Sequence, residues 1–132
     1  GIHIHPSVVR ATFKIFGDDR VILISDSMMA TGMPDGDYTL GGPVVTVRDK
    51  RATLKDGTIA SSVFNLMDCV RSVVDMGISL ESAIKCAAVN PAKQIGIYDK
   101  YGSLEPGKIA NFIVLNKDLS LKYVCLNGKR YS

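Results

Sequence analysis

Apolar residues at positions 8, 9, 13 and 16 recur at helical spacing. They predict one face of a helix over residues 7–16, with Ser7 after Pro6 as its cap and Gly17-Asp18-Asp19 as its end. The next segment changes character. Val21-Ile22-Leu23-Ile24 is continuously apolar and rich in β-branching, the pattern of a strand buried on both faces in a parallel sheet. It runs into Ser25-Asp26 and then into the flexible stretch 30–36. A strand end, a helix and a second strand in succession are the βα rhythm of a parallel sheet.

After residue 36 the pattern shortens. Gly41-Gly42-Pro43 breaks the chain, and Val44-Val45-Thr46-Val47 and Arg51-Ala52-Thr53-Leu54 are joined by Arg48-Asp49-Lys50, which predicts an antiparallel hairpin. Asp56-Gly57 reads as a turn. Helical spacing returns over 61–76, with apolar positions 63, 66, 67, 70, 73 and 74 and Gly77 as the stop. Ser79 caps a second predicted helix over 80–89, closed by Asn90-Pro91, with a short turn over 92–97. Strand character then resumes at 110–115. A last hairpin pairs 121–126 with a short strand across Asn127-Gly128, a strong type I′ signal. Only one complete buried strand is present, so the chain does not read as a self-contained α/β domain.

Composition changes this picture little. The 132 residues are 46% hydrophobic and 22% charged, the balance of a globular domain with one modest core. A net charge of +3, dispersed along the chain, argues against nucleic acid as a partner. No apolar run reaches membrane-spanning length, and no signal peptide is evident. Cys69, Cys86 and Cys125 form no CxxC pair and no disulfide framework; Cys69 and Cys86 read as small buried hydrophobes. Reduced thiols suit a cytoplasmic protein. The sequence opens at Gly1-Ile2-His3 without an initiating Met, compatible with a tag remnant or a piece of a longer protein.

Three places could carry chemistry. Asp26 ends an apolar strand, where α/β folds place catalytic groups; a plain loop or helix cap is an equally good reading of the pattern. His3 and His5 alternate on an extended segment, an arrangement able to share a metal but short enough to arise by chance; His5, followed at once by Pro6, is read as solvent-facing. Asp56-Gly57-Thr58-Ile59-Ala60-Ser61-Ser62 leads into the predicted helix at 61. Its backbone N–H groups could bind a polar ligand group, with capping by Ser61 or Ser62 the better local reading.

Taken together, these phrases resemble the N-acetylglucosamine-6-phosphate deacetylases of the amidohydrolase superfamily. The resemblance rests on Gly1-Ile2-His3-Ile4-His5-Pro6, Ile24-Ser25-Asp26-Ser27, Tyr38-Thr39-Leu40-Gly41-Gly42, the 56–62 phrase, Asn90-Pro91-Ala92-Lys93 and Gly102-Ser103-Leu104-Glu105-Pro106-Gly107-Lys108-Ile109-Ala110-Asn111-Phe112. The last phrase marks only the superfamily; the 56–62 phrase points to the deacetylases. The resemblance covers nearly all of this chain and about the C-terminal third of the family's usual length.

The resemblance implies an α/β architecture: the C-terminal part of a (β/α)8 barrel with part of a small β-sandwich. Residues 1–38 would supply the last barrel strands and their connecting helix, with residues 21–25 as strand eight. Residues 39–55 would be sandwich strands, 56–100 the barrel-side helices, and 101–132 further sandwich strands. It also implies hydrolysis of the acetamide of N-acetylglucosamine 6-phosphate to glucosamine 6-phosphate and acetate. A divalent metal, zinc by expectation, would polarise the carbonyl and acidify the water. Asp26 matches the catalytic aspartate, as general base and then general acid. Gly1, Ile2 and His3, and Ile59, Ala60 and Ser61, match substrate-contacting positions.

One departure matters. The family's metal ligands, a glutamate and two histidines, come from earlier barrel strands, and no residue here matches them. The 132 residues alone are therefore expected neither to hold the metal nor to turn over substrate. An unpaired strand eight would leave an apolar edge, which predicts self-association, as a homodimer or otherwise. Two other readings stand beside this one: a different amidohydrolase acting on a cyclic amide or amidine, and a non-catalytic assembly module in which Asp26 is only a cap.

Overall fold

The computed structural model describes residues 1–39 and 41–131. Leu40, within the Tyr38–Gly42 phrase, and Ser132, at the end of the expected last segment, lie outside the described residues. No described helix is long and apolar enough to cross a membrane.

Helix α1 runs Pro6–Phe16. Its cap is His5 rather than Ser7. Pro6 takes the first helical position, where its missing N–H costs nothing, and the His5 ring nitrogen Nδ1 accepts from the Ser7 N–H at 3.3 Å. Gly17, at φ 69°, ends the helix as expected. A single 3-10 turn, Asp18–Arg20, follows.

Residues 21–25 depart from the expected strand. They belong to no sheet, and Ile24 is 75% exposed. A strand needs a ladder to a neighbouring backbone, and the described residues supply none; the segment is held by single bonds instead. Leu23 packs against Val70, Val73 and Ala83, and Val21 and Ser25, alternating with it, are also half-buried.

Two antiparallel three-stranded meanders make up the sheets. In the first, β1 (Gly36–Thr39), β2 (Val44–Arg48) and β3 (Arg51–Thr53) pair in chain order. The predicted three-residue link tightens to two, Asp49 and Lys50, with φ 48° and 60°, the geometry of a type I′ turn that matches strand twist. Val45 and Val47 alternate inward at 0% and 2% exposure. They pack with Met28, Ala30, Ala52 and Ala60, each buried valine contributing about 1.5–3 kcal/mol. In the second sheet, β4 (Phe112–Leu115), β5 (Leu121–Leu126) and β6 (Lys129–Tyr131) also pair in order. The Asn127-Gly128 turn has both residues at positive φ, as its type requires.

Between the sheets lie the helices. Helix α2 covers Leu66–Asp75, five residues later than the predicted start. Ser61 sits at φ 48°, outside the right-handed helical region. The cap is Asn65, not Ser61 or Ser62, in a reciprocal capping box with Asp68. Helix α3 (Leu80–Ile84) starts at its predicted cap Ser79, then widens into a π turn at Lys85–Val89 and continues as α4 (Asn90–Gln94). Asn90-Pro91 thus does not end the helix. In the π register Asn90 N–H bonds five residues back to the Lys85 carbonyl, so the next carbonyl in that register, Cys86, would await the N–H that Pro91 lacks. The ring therefore breaks no bond there.

Candidate active site

Asp26 lies at the crossing of two segments. Its backbone is left-handed, φ 51°, a conformation Asp tolerates better than most residues and one that clusters at functional sites. The surroundings hold it there. Ser61 Oγ donates to the Asp26 carbonyl at 2.6 Å, and Ser62 N–H donates to the same oxygen at 3.0 Å. Met28 N–H returns a bond to the Ser62 carbonyl at 2.8 Å, so Ser27 and Ser62 form a short parallel bridge. Ser27 Oγ donates to the Phe64 carbonyl at 2.7 Å. Among the described residues no donor reaches the Asp26 carboxylate, so its side chain caps neither loop nor helix.

The 56–62 loop is built to make this contact. Asp56 accepts from the Thr58 N–H at 2.9 Å, and that bond, with help from the Thr58 side chain, holds the Asp56 carboxyl below its usual range. Leu54 N–H donates to the Thr58 carbonyl and Ala60 N–H to the Ala52 carbonyl, which lays the loop against the first sheet. Ala60 is consequently buried, its N–H spent on the Ala52 carbonyl and its own carbonyl the backbone group left to meet a ligand, while Ile59 is 37% exposed.

The other end of the Asp26 segment is tied to the long helix. Leu23 N–H donates to the Cys86 carbonyl at 3.0 Å. Asn90 Nδ2 donates to the carbonyls of Asp18 and Val21 at 2.6 and 2.7 Å. In the sequence Asn90-Pro91 reads only as a helix stop, and Cys86 only as a small buried hydrophobe, not as anchors of this segment. Only the Asn-Pro pair, placed where a helix should stop, could have drawn attention.

The structure brings Asp26 and Ser61 together; no hydrogen bond among the described residues joins Gly1, Ile2 or His3 to either. These three are exposed. His5 is turned to Ser7 Oγ at 2.8 Å, engaged in the cap. No three His, Cys, Asp or Glu side chains among the described residues come together as metal ligands. The residues present therefore do not fit a metal centre.

Asp26 thus stands beside the 56–62 loop, its carbonyl held by Ser61 and Ser62. Residues 1–131 match the Amidohydrolase family, and the chain belongs to that family. It is 39% identical over 129 residues to the N-acetylglucosamine-6-phosphate deacetylase of Bacillus subtilis, covering 97% of this chain and 33% of that protein. It is 33% identical to a putative N-acetylgalactosamine-6-phosphate deacetylase of Escherichia coli K12, covering 98% of this chain and 77% of that one. In fold it matches the crystal structure of N-acetylglucosamine-6-phosphate deacetylase from Pasteurella multocida with a TM-score of 0.95 at 28% identity, over 100% of this chain and 35% of that one. The small sheets and helices thus correspond to part of a deacetylase barrel with part of its β-sandwich. The chain spans about a third of the length of the Bacillus relative.

Proposed function

We propose that this chain carries the general acid–base residue of an enzyme that hydrolyses the acetamide of N-acetylglucosamine 6-phosphate, giving glucosamine 6-phosphate and acetate. The observation that carries the reading is Asp26: a left-handed backbone fixed by two bonds to its carbonyl, with the carboxylate left open. In this reading the carboxylate takes a proton from the water that attacks the acetyl carbon. The protonated group then gives that proton to the nitrogen as the C–N bond breaks, so acetic acid and a neutral amine leave and Asp26 is restored; in water the acid's remaining proton passes to the amine, giving acetate and the ammonium form. Gly1, Ile2 and His3, with Ile59 and Ser61, would face the sugar. Ser61 would do so through the lone pairs its bond to Asp26 leaves free, and Ala60 through its backbone.

A divalent metal, zinc by the same resemblance, is proposed for the full-length enzyme, with ligands outside these 132 residues. Stoichiometric zinc or deacetylase turnover in the 132-residue chain alone, measured by elemental analysis and acetate release, would contradict this.

The primary test is Asp26→Asn in the full-length protein. Asn also accepts positive φ, so the fold is retained. The expected result is a fall in kcat of about 100-fold to 10,000-fold, the range of general acid–base contributions. Unchanged turnover in the folded variant would refute the assignment. The name of the Escherichia coli relative favours a second substrate, the galacto epimer. Comparing kcat/KM for the two N-acetylamino-sugar phosphates separates them.

A further inference from the structure

We propose that Asn90, together with the π turn and Pro91, is a positioning device that sets where Asp26 sits; the inference rests on the acid–base role given to Asp26 above. Asn90 is 6% exposed. Both hydrogens of a primary amide are needed for its two bonds, to the Asp18 carbonyl at 2.6 Å and the Val21 carbonyl at 2.7 Å. Those carbonyls belong to the first residue of the 3-10 turn Asp18–Arg20 and to Val21 just after it. Asn90 therefore fixes the start and the exit of the turn that launches the Asp26 segment.

The second contact depends on the helix register. With Lys85–Val89 in π form and no N–H on Pro91, the Cys86 carbonyl is left for the Leu23 N–H, which it meets at 3.0 Å. An ordinary residue at 91 would offer that carbonyl an intrahelical donor, and the segment would compete for it. Ser82, Cys86 and Asn90 lie four apart, on one helical face, and all three bond to Asp18: Ser82 Oγ to its carboxylate, Cys86 Sγ and Asn90 Nδ2 to its carbonyl. Asp26 is only three residues from Leu23, at most about 10 Å of chain. An axial slip at the helix is thus transmitted to the carboxylate, with the Ser61–Ser62 contacts fixing the far end.

Asn90 meets neither substrate nor reacting atoms in this scheme. It acts through the 18–26 segment, and that separates it from a merely structural residue. Asn90→Asp keeps the shape but, when ionised, turns both donors into acceptors facing two carbonyls. Pro91→Ala restores the missing N–H. Both are made in the full-length protein and compared with Asp26→Asn. Each folded variant is expected to lose kcat by about 100-fold, the effect of roughly 1 Å of misplacement, with KM within about threefold. Hydrogen exchange at the Leu23 amide is expected to quicken at least about tenfold in each, as a protecting bond is lost.

Unchanged kcat with unchanged Leu23 exchange in a folded variant overturns the proposal, as does equal loss of kcat, KM and thermal stability. Should Asn90→Asp not fold, Pro91→Ala decides alone by the same two readouts. If Asp26→Asn keeps full activity, the acid–base reading is what fails. Leu23 exchange in the Asn90 and Pro91 variants then still supports or refutes the tether.

Discussion

Asp18 is gripped from one helix by four side chains. Lys85 Nζ and Ser82 Oγ reach its carboxylate at 2.8 and 2.7 Å, while Cys86 and Asn90 take its carbonyl. The Lys85 ammonium first, then the Ser82 hydroxyl, holds the Asp18 carboxyl below its ordinary 3.8. A depressed carboxylate stabilises the fold fully above the unfolded value and loses that contribution as pH falls through the folded one. Stability is therefore expected to drop on acidification below about pH 4, with Asp18→Asn showing a shallower drop there and a lower neutral value. Denaturant midpoints across pH 2–7 would show it, and parallel profiles would refute it. The contrast between Asp18 and Asp26 is instructive about what residues reveal in sequence. A carboxylate after four apolar residues announced Asp26 as a candidate. Ser61 stood out through its 56–62 phrase, but nothing local announced its bond to Asp26 or the role of Asn90, because a bond to a carbonyl 35 or 72 residues away leaves no pattern in its own neighbourhood.

Elements were legible in proportion to how local their determinants are. The Asn127-Gly128 hairpin, the Ser79 cap and the Gly17 and Gly77 stops all depend on adjacent residues, and all are present. The failures at 21–25 and at the start of α2 share a cause, a partner distant in sequence. The 21–25 run was apolar enough for a buried strand, but a strand exists only with neighbours. Periodicity placed the start of α2 at 61, yet residues 61–64 are committed to the Asp26 segment. The loop at 102–108 shows the same dependence. Lys108 Nζ donates to Ser103 Oγ at 2.6 Å and lies 3.4 Å from the Tyr98 ring centre, a clasp that draws the loop onto α4. Gly102 is pressed into that contact: a Cβ there would lie 2.7 Å from the Ala92 Cβ and 3.0 Å from the Ala88 carbonyl, at φ 91°. Gly107 has the same φ and open space. Gly102→Ala is expected to cost about 2–4 kcal/mol, overpacking added to backbone strain, and Gly107→Ala only about 1–2 kcal/mol. Equal urea midpoints for the two would refute the close approach.

For the molecule as a whole, the surface is the telling feature. Ile15, Ile24, Met29, Ile95 and Leu104 are each at least 68% exposed, and the 21–25 segment, which carries Ile24, has no strand partner among the described residues. Such edges recruit other chains. The 132-residue chain is expected to self-associate, its light-scattering mass rising with concentration, and Ile24→Lys is expected to reduce the effect. A concentration-independent monomer mass would refute this. The tether between Asp18 and Asn90 also has a consequence in time. The two sheets join consecutive strands and can close as soon as they are made. The 18–24 segment must wait for a partner 72 residues downstream, which at about 5–20 residues per second is roughly 4–14 s of synthesis. Throughout that interval Val21-Ile22-Leu23-Ile24 is an unsheltered apolar stretch on a nascent chain. The segment that carries the proposed catalytic group is thus the one most dependent on holding factors at the ribosome.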